Sequence, residues 1–194
     1  MKKPAVLAAC FLLSVSFLVT GCGTANNAAK NLAKQSTSTA TKDNYINNGK
    51  QLIQNGGQFQ DYTKFVSAAK ANPTNAQDQM NAAVSAYVNG KYDDSISYYQ
   101  KAIKIDPNNG IYYNNLGNVY LRGLNQPKNA LPNYEKAVQV APNYSMAWLN
   151  LGVCQSNLGD KNAAVQTFQK ALSNLPKNDP QYASIEKQLS IVNK

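Results

Sequence analysis

Small, aromatic and aliphatic residues recur along this chain at helical spacing, in blocks of nearly constant length that each close on a proline. Four times an Ala is followed five residues later by a Pro: Ala68 and Pro73, Ala102 and Pro107, Ala137 and Pro142, Ala171 and Pro176. Successive copies lie 34, 35 and 34 residues apart. A period of this size predicts one supersecondary unit stacked on itself, because a single unit cannot bury its own apolar face and its neighbours must cover it.

Alignment on the Ala and Pro brings other positions into step. Residues 145–178 give Trp148, Leu151 and Gly152, then Ala164, Phe168, Ala171 and Pro176. Residues 110–144 give Tyr113, Leu116, Gly117 and Tyr120, then Ala130, Tyr134, Ala137 and Pro142. Residues 76–109 keep a sharp second half, with Gly90, Tyr92, Ile96, Tyr99, Ala102 and Pro107, but carry Gln79, Ala82 and Ala83 where the others have an aromatic, Leu and Gly. Residues 42–75 form the weakest copy, through Tyr45, Gly49, Gly56, Phe65, Ala68 and Pro73. Small residues let two helices approach while aromatics one turn away fill the wedge, so each copy predicts an antiparallel helix pair. Gly90 and Gly159 mark the turns within pairs, Asp160 is an expected N-cap, and each Pro stops the second helix.

This pattern resembles the tetratricopeptide repeat, whose signature places Trp, Leu-Gly and Tyr on one helix and Ala, Phe and a terminal Pro on the next. The resemblance implies an all-α, right-handed solenoid of about four repeats. The third copy is one residue longer, and the extra residue is expected in the loop between Tyr120 and Ala130, since both flanking helices keep their internal spacing. Pro127 suits a first helical turn; Pro132 lies deeper and predicts a late start or a kink. Residues 179–194 predict a capping helix, with Asp179 and Pro180 as its cap and first turn and Tyr182, Ile185, Leu189 and Val192 on one face.

The amino terminus has a different character. Lys2 and Lys3 precede a mostly apolar run from Ala5 to Val19, too short to span a membrane comfortably and suited to a secretory signal over residues 1–21. Val19-Thr20-Gly21-Cys22 resembles the lipobox of bacterial lipoproteins, which implies diacylglycerol on the Cys22 thiol and cleavage before it. Two or more acyl chains, at about 0.8 kcal/mol per buried methylene, make a stable anchor. Residues 22–41 read as a tether rich in Ala, Asn, Ser and Thr, spanning about 25 Å if it behaves as a flexible coil. Cys10 would leave with the signal and Cys22 would be lipidated, so Cys154 has no partner for a disulfide and reads as a small buried apolar residue. The implied location is the outer face of a bacterial cytoplasmic membrane, or the outer membrane.

Charge and chemistry narrow the function. The whole chain carries 19 basic and 10 acidic residues, net +9. Loss of Lys2 and Lys3 with the signal leaves net +7, an excess that favours anionic lipid, acidic wall polymers or acidic partners. Nucleic acid is not an expected partner, because the lysines are scattered and the compartment is extracytoplasmic. The chain has no His, no Gly-rich phosphate loop and no paired carboxylates placed for catalysis, so neither an enzyme nor a cofactor or metal is expected.

In tetratricopeptide arrays the first helix of each repeat lines a concave groove. That register puts Asn47, Asn81, Asn115 and Asn150 at the sixth position of all four repeats. Such a ladder can donate to and accept from the backbone of an extended peptide, or can serve the scaffold alone. Met80, Tyr87, Ile111, Leu121 and Met146 are expected to add apolar contact, with Lys50 and Arg122 as isolated charges. The cationic positions of the family's carboxylate clamp are mostly apolar here, so that device is not expected. The function implied is an envelope adaptor that holds a protein partner in the groove. The alternative is a wall-polymer-binding module using positive charge and tyrosines, whose binding would collapse with salt. Replacement of the anchoring thiol, Cys22→Ser, is expected to release the protein from the membrane fraction; fractionation showing unchanged retention and unchanged size would contradict lipidation.

Overall fold

Each Ala–Pro pair ends a helix by the same backbone event. The amide of the fourth residue after the Ala donates to the Ala carbonyl: Asn72 to Ala68 at 2.9 Å, Asp106 to Ala102 at 2.9 Å, Ala141 to Ala137 at 3.0 Å and Leu175 to Ala171 at 2.9 Å. The next residue is the Pro, which has no N–H to continue the ladder. In the computed structural model, which describes residues 59–194, this happens at the end of four second helices. The signal (1–21), Cys22 and tether (22–41), and the first helix of repeat one with Asn47 and Lys50, lie outside the described residues.

Eight α-helices and no strand occur among the described residues. They are α1 (Tyr62–Ala71), α2 (Ala76–Val88), α3 (Tyr92–Ile105), α4 (Gly110–Asn118), α5 (Pro127–Val140), α6 (Ser145–Asn157), α7 (Lys161–Asn174) and α8 (Tyr182–Val192), with a π-helical turn, Val119–Gly123, continuing α4. Packing follows chain order, α1 on α2 and so on to α7 on α8, and α4 also meets α6. This is an all-α solenoid of helix pairs. Its N-caps are local: Asp61, Asn75, Asn109 and Asp160 accept from backbone amides in the first turns of α1, α2, α4 and α7.

The pairs close on a glycine–aromatic contact. A Cβ added at Gly117 would lie 2.6 Å from the Tyr134 ring, and one at Gly152 would overlap the Phe168 ring still more severely. Both rings are fully buried. Repeat two has Ala83 at this position, and there Ser95 Oγ donates to the Ala83 carbonyl at 2.8 Å. A second recurring device ties each first helix to the loop before it: Tyr113 Oη donates to the Pro107 carbonyl and Trp148 Nε1 to the Pro142 carbonyl. Gln79, which stands where the others have an aromatic, makes a related tie with its amide, donating to the Ala69 carbonyl in the last turn of α1 at 2.8 Å and to the Asn72 carbonyl after it at 3.4 Å.

Three details depart from expectation. The extra residue of repeat three is absorbed before the turn, inside the helix. Gly90 and Gly159 take φ of 71° and 86° at the intra-pair turns of repeats two and four, and Asn125 takes 53° in repeat three. Asn125 lies one residue later in its repeat than those glycines, and the π turn before it, closed by Leu124 N–H on the Val119 carbonyl at 3.0 Å, holds the surplus. Next, α5 begins at Pro127 without delay and runs through Pro132. Pro132 and Lys128, whose carbonyl loses its donor, are both exposed, so water can solvate that group. Finally, α8 starts at Tyr182, not at Pro180: Asp179 Oδ1 accepts from Gln181 N–H at 2.7 Å, which holds residues 179–181 as a turn. The cap still buries Ile185 completely, in a cluster with Trp148, Phe168 and Leu175. Gly152→Ala is expected to lower stability by about 1–3 kcal/mol through overpacking against Phe168, read as a reduced melting temperature by circular dichroism.

Candidate functional site

The sixth-position asparagines lie at different depths. Asn81, half-buried on α2, accepts from Gln77 Nε2 at 2.9 Å. Asn115 on α4 and Asn150 on α6 are each only 3% exposed. They join a seam where α4 meets α6, and two further asparagines complete it: Asn114, fully buried, and Asn118. Asn150 Nδ2 donates to Asn114 Oδ1 at 2.8 Å and more weakly to Asn118 Oδ1 at 3.4 Å. Asn114 Nδ2 donates to Asn115 Oδ1 at 3.2 Å, and Tyr134 Oη donates to Asn118 Oδ1 at 2.9 Å. The register drew attention to position six alone. Asn114 and Asn118 were visible as the run NNLGN, one helical turn around the same face.

Arg122, on the π turn, reaches across to α6 and donates from Nη2 to Asn150 Oδ1 at 3.3 Å while the residue stays exposed. The turn is held from the other side by aromatic rings. Tyr87 and Tyr92 pack with centroids 5.7 Å apart, and a Cβ at Gly123 would come within 2.9 Å of the Tyr92 ring. Glycine therefore allows the π turn to press against this pair.

The apolar expectations are partly corrected. Met80 and Met146 are buried, 8% and 3% exposed, so they belong to the packed interior more than to an open surface. Each lies on the first helix of a pair, where burial between packed helices removes apolar surface from water. Leu121 packs against the cluster of Ala130, Tyr134, Leu151 and Cys154. Tyr87 and Ile111 remain half-buried and available at the edge.

Burial also sets the ionisation of this region. It pushes the Tyr134 and Tyr99 hydroxyls well above the usual tyrosine range; for Tyr134 the nearby Arg122 opposes the shift without cancelling it. Burial pushes the Cys154 thiol up to about 11, which leaves it a neutral side chain packed by the Pro127 carbonyl and not a nucleophile. Among the described residues no group of three or more Cys, Asp or Glu could hold a metal ion.

Two family models match, one for the TPR repeat over residues 85–123 and one for the tetratricopeptide repeat over 121–189. The chain carries tetratricopeptide repeats. Solved repeat structures share the fold. The crystal structure of MamA superposes with a TM-score of 0.61 at 17% identity, covering 75% of this chain and 82% of that one. The Sgt2 TPR domain from Aspergillus fumigatus gives 0.53 at 24% identity, covering 61% and 76%. The first TPR of Spaghetti, bound to an HSP90 peptide, gives 0.53 at 22% identity, covering 61% and 92%. The two family matches overlap at 121–123, inside the π turn.

The repeat array should lose stability in alkali through its buried tyrosines. A native pKa above the unfolded value near 10 stabilises the fold fully below about pH 10, and that stabilisation drains away as pH rises through the native values. Hydrogen bonding to Asp94, with desolvation, also raises Tyr62, to about 12. The melting temperature is therefore expected to fall from about pH 10 upward, with phenolate absorbance appearing as helicity is lost. Tyr134→Phe should make that fall shallower, and an unchanged slope would remove the assignment to Tyr134.

Proposed function

We infer that this protein is a non-enzymatic adaptor that holds a segment of a protein partner along the inner helices α2, α4 and α6. It would be tethered through a lipid on Cys22 to the outer face of a bacterial envelope membrane and contribute to assembling an envelope complex. The observation that carries the groove reading is the α4–α6 seam. Arg122 carries its bonded chain of asparagine amides out to the exposed N–H donors of a guanidinium. An extended peptide backbone offers the carbonyl acceptors that such donors need. The solved first TPR of Spaghetti, which carries an HSP90 peptide, supports a peptide as the kind of ligand this architecture can hold.

The wall-polymer alternative leaned on the tyrosines, and Tyr98, Tyr99, Tyr112 and Tyr134 are buried in the core. They are not free to stack on a polymer. Site-specific photo-crosslinking in intact cells tests the reading. A photoreactive amino acid at Gln77 or Ile111, corresponding positions on α2 and α4, should give discrete protein adducts, whereas one at exposed Gln169 on α7 should not. Adducts formed equally well from α7, or none from the inner helices, would count against a groove.

A further inference from the structure

Lysines that look scattered along the sequence are sorted by the fold. Helices α2, α4 and α6 carry no Lys or Arg, and their one charged residue is Asp78. The lysines of the helix pairs all stand on α1, α3, α5 and α7. The sorting is sharper in the C-terminal halves of these second helices, from the packed ring onward. Residues 65–71, 99–105, 134–140 and 168–174 carry Lys70, Lys101, Lys104, Lys136 and Lys170, all exposed, against the single carboxylate of Glu135. Lys101, Lys136 and Lys170 each directly precede the Ala that closes the helix, so one position is cationic in three successive repeats.

These charges are not neutralised within the protein. None of the five lysines lies within salt-bridge distance of a carboxylate among the described residues. Lys101 sits over the Tyr98 ring at 4.7 Å and Lys170 over the Trp148 ring at 5.6 Å, and Lys136 donates to the Gln139 amide at 3.1 Å, so neutral groups hold all three. The helix dipole accounts for Lys70 and Lys104, which lie in last turns, but not for the other three. An apolar residue stands among the cations. Ile105, 38% exposed, follows Lys104 and lies one helical turn from Lys101. A soluble polyanion answers the lysines and gains nothing from an aliphatic side chain. An anionic bilayer answers both, with headgroup phosphates for the ammonium groups and the acyl boundary for the apolar tip.

We propose that the C-terminal halves of α1, α3, α5 and α7 form a docking face for an anionic lipid bilayer, with Lys101, Lys136 and Lys170 at the headgroups and Ile105 at the acyl boundary. Charges act over about 8 Å in physiological salt, so the helices need not lie flat on the lipid for each lysine to contribute. Docking by the second helices leaves the first helices of the groove open to a partner. The face stands on its own lysines whether or not Cys22 carries a lipid, although an anchor there would raise its effective concentration at the bilayer.

The test uses the full chain reconstituted with vesicles of phosphatidylcholine alone or mixed with phosphatidylglycerol. A water-soluble acylating reagent modifies exposed lysines, and peptide mass spectrometry reads the rate at each. On the anionic vesicles Lys101, Lys136 and Lys170 should react about fivefold or more slowly than on the neutral ones, as expected for lysines held at an anionic surface. Lys187 on α8 should react alike on both. At about 1 M salt, where screening shortens to about 3 Å, the difference should vanish. Combined Lys101→Gln, Lys136→Gln and Lys170→Gln should abolish the slowing at Lys70 and Lys104 without lowering the melting temperature. Ile105→Ser, which leaves every charge in place, should reduce the slowing at all five. Equal rates on the two vesicles, or slowing as large at Lys187, would overturn the docking face. Slowing that Ile105→Ser does not change and that soluble polyglutamate reproduces without vesicles would reassign the lysines to an acidic polymer and overturn the bilayer. Failure of the chain to float with neutral vesicles would count against the anchor on Cys22, and the rates on anionic vesicles would still decide the docking face.

Discussion

The array depends on how closely the two helices of a repeat can approach. At Gly117 and Gly152 the first helix has no side chain, and the Tyr134 and Phe168 rings lie against its backbone. With the rings seated there, Ala130, Ala137, Ala164 and Ala171 are fully buried, so the rest of each pair can close without a void. The Ala carbonyl that ends each second helix and the Pro that follows set where the chain turns back, and the next first helix is laid on the pair already made. A change at the glycine therefore acts on the distance between helices, on which every later contact relies. The bonds from Tyr113 and Trp148 to the preceding loops, and from Gln79 to the end of α1, come after that distance is set and orient one repeat on the next.

A polar seam in such a core needs an explanation, because buried amides stabilise only when they are bonded. In repeat three, Asn114, Asn115 and Asn118 stand on one short helix, and Asn150 answers from the neighbouring repeat. Most of the bonding is completed within the protein, and what reaches the surface is the guanidinium of Arg122. The inner face therefore combines a rigid lining with a small residual demand for acceptors. That combination suits capture of a segment with little rearrangement.

Much of the fold could be read from residue type because packing demands particular sizes at particular intervals: glycine under a ring, alanine between helices, proline after the last turn. Repeat two shows the limit of that logic. Gln79 was legible only as a lost aromatic, since what is retained is a bond to the end of the preceding helix and not a ring. The extra residue of repeat three could be placed in a window by counting, but counting does not distinguish a longer loop from a π turn. That distinction depends on Gly123 meeting the Tyr87–Tyr92 pair, a contact between residues distant in sequence. Depth was the hardest property to read. Register assigned Asn81, Asn115 and Asn150 to one face, yet one is half-buried and two are enclosed, because α4 and α6 meet directly. Met80 and Met146 followed the same course into the interior.

The π turn has a consequence for any regular ladder of repeats. Where every rung is alike, a bound segment shifted by one rung would find almost the same contacts, and the complex would be a population of sliding alignments. One rung here is irregular, with α4 overrun by Val119–Gly123 and a cation standing where its neighbours place none. A single irregularity is enough to give such a surface an origin. A partner would then be held in one phase, and its flanking parts would be delivered at a defined place along the array.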